Sequence, residues 1–179
     1  MSQKLIYIAT PLIHKRHKLV YSPNFINFIL NNNINIFFTF DPESNQAKKI
    51  IPRNYFDPIY KNITYLSPIK NDKLLSILND FDGLLFLSEM ESLGLPIIEA
   101  CINKIPIIAP KMDYITELIG HEYKYLFDSS NNFENTVNSL INILNIFLND
   151  HSNQVYEFPK LKKDLISIDK FADLILKMI

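Results

Sequence analysis

Two glutamates, Glu91 and Glu99, stand eight positions apart in the segment ESLGLPIIEA. An ionised carboxylate only accepts hydrogen bonds. Its two oxygens suit Glu99 to a pair of vicinal hydroxyls, such as those of a ribose, and Glu91 to a second polyol or a reacting centre. With eight glutamates in the chain, roughly a third of one such pair is expected by chance, so the spacing needs its context. Between the two lie Gly94, which permits close backbone approach, and Pro96, which suits the first turn of a helix whose free amides and positive dipole end seat phosphate. A second group of chemistry-bearing residues is the run His14-Lys15-Arg16-His17-Lys18. It fits a nucleic-acid patch, a solvated basic surface or a diphosphate clamp, and one such cluster in a chain of net charge −1 favours the clamp.

These residues need elements to position them. Apolar runs rich in β-branched and aromatic residues recur at Leu5–Ala9, Ile34–Phe40, Ile63–Leu66, Gly83–Leu87, Ile105–Ala109 and Tyr123–Phe127. Helix-like stretches separate most of them, which predicts an α/β fold with a parallel sheet. Runs such as LLFL and PIIA are apolar at successive positions, so both faces of the sheet are covered and it is doubly wound. The Glu91 loop then follows one strand and precedes a helix, at a carboxyl end where open α/β sheets bind ligands.

Helix starts are marked by Ser22 before Pro23, by Asn71 or Asp72 before KLLSILNDF, by Pro96, and by Asn132 ahead of an amphipathic stretch to about Leu148. Residues 41–61 read as a loop with one helical turn, residues 150–159 as irregular, and a terminal helix is expected from about Asp169.

The composition excludes several classes. The 179 residues, 47% hydrophobic, suit one globular domain. Three glycines cannot write GxGxxG or a P-loop, so the standard dinucleotide fingerprint and the Walker ATPases are excluded. The single Cys101 allows no internal disulfide or CxxC zinc site, and four histidines offer no paired metal spacing. No metal is expected. The opening from Leu5 to Ile13 reads as a buried first strand rather than a signal peptide, and no run is long enough to cross a bilayer. A soluble cytoplasmic protein is expected, with no nucleic-acid partner.

At the Glu91–Glu99 segment the sequence resembles the carboxyl-terminal half of retaining glycosyltransferases of the GT-B fold, the family 4 group. The family's hallmark is E-x7-E within a segment like EGFGLPxxEAMACGVPVIA. ESLGLPIIEACINKIPIIAP shares both glutamates, the second glycine, the proline after it, the alanine after the second glutamate and the proline-led strand. NITYLS with DKLLSILNDFDGLLFLS is similar to the elements leading to that motif. YITELIGHEYKYLFDSSN is similar to the segment PEVVGDAGLLFDPxD and places Glu117 on its glutamate, and ISIDKFADLIL resembles the closing helix, at about 169–179. Near the start, IATPLIHKRHKLV resembles the phosphate-binding segment, with Lys15 on the family's lysine. Thr10 occupies the family's arginine position, leaving Arg16 as the substitute, and Ser92 replaces the first glycine of the loop.

The resemblance implies that residues 1–179 form a Rossmann-like domain binding a nucleotide-activated sugar, UDP- or GDP-linked, for retaining glycosyl transfer in bacterial polysaccharide or glycolipid synthesis. No cofactor is implied. On this resemblance Glu91 is the expected catalytic residue. Lys15, Arg16, Ser92, Leu93, Gly94, Leu95 and Glu99 bind the donor, and Glu117 supports the site. An acceptor-binding amino-terminal half, for which the chain has no room, is the expected partner, on another chain or in a longer parent. The inner face of a membrane would be reached through that partner. A second reading is a non-catalytic half that binds nucleotide or acts as a scaffold subunit.

Overall fold

The computed structural model describes residues 2–69, 71–91 and 94–162. Six strands, β1 (Gln3–Tyr7), β2 (Ile34–Phe38), β3 (Ile63–Tyr65), β4 (Gly83–Leu85), β5 (Ile107–Pro110) and β6 (Leu126–Phe127), form one sheet in the order β3-β2-β1-β4-β5-β6. Every pairing is parallel, as the alternation of apolar runs and helices predicts. The order reverses between β1 and β4, the switch point at whose carboxyl end open α/β sheets form a ligand crevice.

All the residues of β4 and β5 are buried, so successive side chains enter both core layers. β2 instead alternates buried with half-buried positions. Gly83 lets the centre of the sheet close up. A Cβ there would lie 3.0 Å from Leu5 Cδ2 and 3.3 Å from the Pro106 carbonyl, and Gly83 is paired in register with Leu5.

The helices are α1 (Pro23–Asn31), α2 (Asn71–Leu78), α3 (Leu95–Ile102), α4 (Asp113–Ile119) and α5 (Phe133–Asn153). Two starts follow the expected capping. The Ser22 hydroxyl accepts from the Phe25 amide, and the Asn132 side chain accepts from the Asn135 amide at 3.0 Å. Other boundaries differ from the sequence reading. α2 begins at Asn71 itself, so Asn71 and Asp72 lie within the helix rather than ahead of it. α5 runs five residues beyond Leu148, because Asp150 is buried on it and accepts from Lys124 Nζ and Tyr125 Oη, both at 2.6 Å. Residues 150–153 of the stretch expected to be irregular are therefore helix, and the remainder is irregular. Residues 41–61 hold two short 3-10 turns, Ala47–Lys49 and Pro58–Tyr60, where one turn was expected. The closing helix expected at 169–179 lies outside the described residues.

Candidate functional site

The crevice is built from the chain leaving β1 and the chain leaving β4, and three contacts tie the two together. The Glu89 amide donates to the His14 carbonyl at 2.8 Å. Lys15 Nζ forms an ion pair with Glu91, and Arg16 Nε lies 3.2 Å from Glu89 Oε1. The buried hydroxyl of Tyr7, the last residue of β1, donates to the Lys15 carbonyl at 2.5 Å. Burial, reinforced by the Glu91 charge, pushes the Tyr7 phenol well above its ordinary pKa, so it remains a proton donor. The strand thereby fixes the turn that presents Lys15.

Arg16 has left-handed backbone angles, φ 51° and ψ 30°, an uncommon conformation for a residue with a side chain. Its guanidinium bonds Ser129 as well as Glu89, and so bridges from the loop after β1 to the loop after β6. Both cations of the expected clamp are thus brought to the crevice, and each is paired with a neighbouring side chain. His17 next to them is fully buried among the rings of Tyr7, Phe38 and Phe40. Neither of its ring nitrogens has a hydrogen-bond partner among the described residues. Burial and the Lys15 charge lower its pKa to about 3, which keeps it neutral.

On the other side of the crevice, Gly94 adopts φ 60° and ψ 37° directly ahead of α3. A Cβ at this position would meet Leu118 Cδ1 at 3.1 Å, so the left-handed turn and the contact with α4 both call for glycine. The Gly94 carbonyl takes the amides of Ile97 and Ile98, at 2.9 and 3.3 Å. Pro96 carries no N–H and the Ile97 amide is taken, so the Leu95 amide is the first-turn donor of α3 left without a partner among the described residues. This is a narrower seat than a full set of first-turn amides.

Glu99 is the fifth residue of α3, at the start of its second turn. Its side chain is half-buried, and Oε2 is enclosed with no partner among the described residues. Burial alone raises its carboxyl pKa. An enclosed acceptor without a donor is the exception in folded proteins and calls for a ligand or water group.

Glu117 is exposed on α4. The contacts α4 makes with the loop after β4 come instead from Tyr114, whose hydroxyl donates to the Ser88 carbonyl at 2.7 Å, and from Leu118 against Gly94. Ser92 and Leu93 lie outside the described residues, and Leu95 is half-buried as the first residue of α3. Sequence reasoning missed Tyr7, Ser88, Tyr114 and Ser129 as supports. Three of these had a usable signal, since Tyr7 ends β1, Ser88 follows β4 and Ser129 follows β6 at the carboxyl edge. Among the described residues no three His, Cys, Asp or Glu side chains come together as a metal site, and no helix is long and apolar enough to cross a membrane.

The family model described as "Glycosyl transferases group 1" matches residues 32–157. A search of curated proteins gives no significant match. Among solved structures, the pneumococcal O-GlcNAc transferase GtfA in complex with UDP and GlcNAc is similar at 16% identity and a TM-score of 0.65, over 86% of this chain and 31% of that one. Anabaena HepE in complex with UDP and glucose is similar at 14% identity and a TM-score of 0.65, over 86% and 40% of the two chains. The C-terminal domain of LpcC, a glycosyl transferase group 1 family protein from Francisella tularensis, gives 15% identity and a TM-score of 0.61, over 86% and 78%. The chain thus spans about a third of the length of the first structures it matches, and its fold is that of the carboxyl-terminal half of a GT-B glycosyltransferase.

Proposed function

The chain belongs to the group 1 glycosyl transferases, and from that premise we propose that it is the half that binds a nucleotide-activated sugar. The observation that carries this reading is Glu99, whose enclosed, unpartnered carboxylate oxygen lies on the helix that opens at the crevice. Two ribose hydroxyls donating to that carboxylate would supply the missing partners. Lys15, assisted by Arg16 and the Leu95 amide, would neutralise the diphosphate. Glu91 would turn from Lys15 toward the donor sugar and stabilise positive charge as the bond between the anomeric carbon and the phosphate oxygen breaks. The acceptor oxygen then bonds to that carbon with retention of configuration, and its proton passes to the departing phosphate oxygen. The rate gain comes from positioning and charge, and no step needs a metal.

An acceptor-binding half completes the enzyme, and polysaccharide or glycolipid assembly is the setting, with a UDP- or GDP-sugar as donor. Calorimetric titration of the chain with UDP, GDP, ADP and their sugar conjugates tests the reading. One nucleotide series binds selectively if it holds, and none binds at millimolar concentration if it fails.

One observation favours a second reading, a non-catalytic half. Thr10 stands where the family carries arginine, and the remaining cations are paired internally. Adding a candidate acceptor-binding chain separates the two readings, since transfer appears only for the enzyme.

A further inference from the structure

Two tyrosines brace the crevice, one on each of its sides. Tyr7 ends β1 and is fully buried, and Tyr114 is the second residue of α4 and is half-buried. A packed tyrosine needs a hydrogen-bond partner for its hydroxyl. Both find it in the backbone of a loop that carries a candidate site residue. Tyr7 donates to the carbonyl of Lys15 itself at 2.5 Å, and Tyr114 donates to the carbonyl of Ser88, three residues before Glu91, at 2.7 Å. Each bond ties a loop to a regular element, the first to the central strand and the second to α4.

These bonds differ in kind from the ion pairs that also join the two loops. A diphosphate that draws Lys15 away from Glu91 breaks their pair. The bonds to backbone carbonyls survive that step. On the β4 side Tyr114 is helped by the Ser88 hydroxyl, which donates to the Met90 carbonyl at 2.9 Å and tightens the turn toward Glu91. On the β1 side the Tyr7 ring lies against His17 and Phe38, with centroids 4.8 and 6.0 Å apart, in a core packed too closely for it to swing. Burial first, and the Glu91 charge after it, raise the pKa of both phenols, so both stay protonated donors at neutral pH and both lie within reach of that carboxylate.

We propose that Tyr7 and Tyr114 are positioning residues that set Lys15 and Glu91 separately, Tyr7 aiming the ammonium at the diphosphate and Tyr114 holding the carboxylate for the donor sugar. The inference rests on the nucleotide-sugar reading above and adds that the site opens by rotation of two side chains over a latched backbone. Calorimetric titration of the full chain with UDP and UDP-glucose, and with GDP and GDP-mannose as the second series, tests it. Tyr7→Phe should weaken the diphosphate and its sugar conjugate alike, about five-fold. Tyr114→Phe should leave the diphosphate within about two-fold and weaken the sugar conjugate about five-fold. Tyr7→Phe should add nothing in a Lys15→Ala chain, and Tyr114→Phe nothing in a Glu91→Gln chain. A merely structural role moves both ligands equally in both variants and persists in those backgrounds. Near-ultraviolet circular dichroism confirms that the variants keep the native fold. Equal losses for both ligands in both variants, no loss in either, or losses that persist in the Lys15→Ala and Glu91→Gln chains overturn the inference alone. A wild-type chain that binds neither series overturns it together with the nucleotide-sugar reading.

Discussion

With only 11% of its side chain exposed and its ammonium held by Glu91, Lys15 cannot meet a phosphate until that ion pair opens. Part of any anion's binding energy is spent on breaking it. Glu91→Gln should therefore bind nucleoside diphosphate several-fold more tightly than wild type, since a neutral amide competes less for the lysine. The same substitution should lower transfer in the completed enzyme. Titration with the free diphosphate and a transfer assay, run in parallel, check the two opposite effects. Glu99 gives a second prediction. Its carboxyl pKa is raised by burial in the fold, so the ionised form is disfavoured there, and stability is lost as pH rises from the ordinary carboxylate range through the raised value. Glu99→Gln should accordingly raise the Tm at neutral pH, with the gain vanishing in acid below the ordinary carboxylate range. Ribose hydroxyls need the ionised acceptor, so wild-type nucleotide affinity should fall as pH drops through the raised pKa. These roles were only partly legible beforehand. The two glutamates and Lys15 stand out by type and place, but Lys15 pairs with a residue 76 positions away, and no local pattern encodes such a contact.

At the scale of elements, the strands and most helix starts were readable because local chemistry decides them. Buried parallel strands must be continuously apolar, and Ser22 and Asn132 supply the oxygens that free helix amides need. The errors arose where tertiary contacts override local pattern. The last turn of α5 reads as polar, yet Asp150 faces inward to Lys124 and Tyr125. The first-turn amides of α3 looked like a broad phosphate seat, yet Pro96 has none to give and the Gly94 carbonyl takes that of Ile97. Gly94 is the hinge of that arrangement. Gly94→Ala places a Cβ 3.1 Å from Leu118 Cδ1 at φ 60° and should cost about 1–2 kcal/mol of stability. Denaturant unfolding measures it. The same change shifts the loop that carries Glu91, so nucleotide affinity should fall with it.

Across the whole molecule, the order β3-β2-β1-β4-β5-β6 brings the loops after β1, β4 and β6 to one edge, where Arg16 clasps Glu89 and Ser129. The doubly wound class followed from the alternation of apolar runs with helices. The strand order did not, because nothing local states which strand neighbours which. We propose that this edge holds a nucleotide by its ribose on Glu99. It is tested most directly by a cycle of four calorimetric titrations, in which wild type and Glu99→Ala each meet the preferred nucleoside diphosphate and its 2′,3′-dideoxy analogue. Hydrogen bonds to a charged group contribute about 1.5–3 kcal/mol, so removing the ribose hydroxyls should weaken wild-type binding roughly ten- to a hundred-fold and leave the Glu99→Ala variant almost unchanged. An equal loss in both proteins would contradict the assignment of the ribose to Glu99, and no loss in wild type would show that the nucleotide, if bound, is held elsewhere.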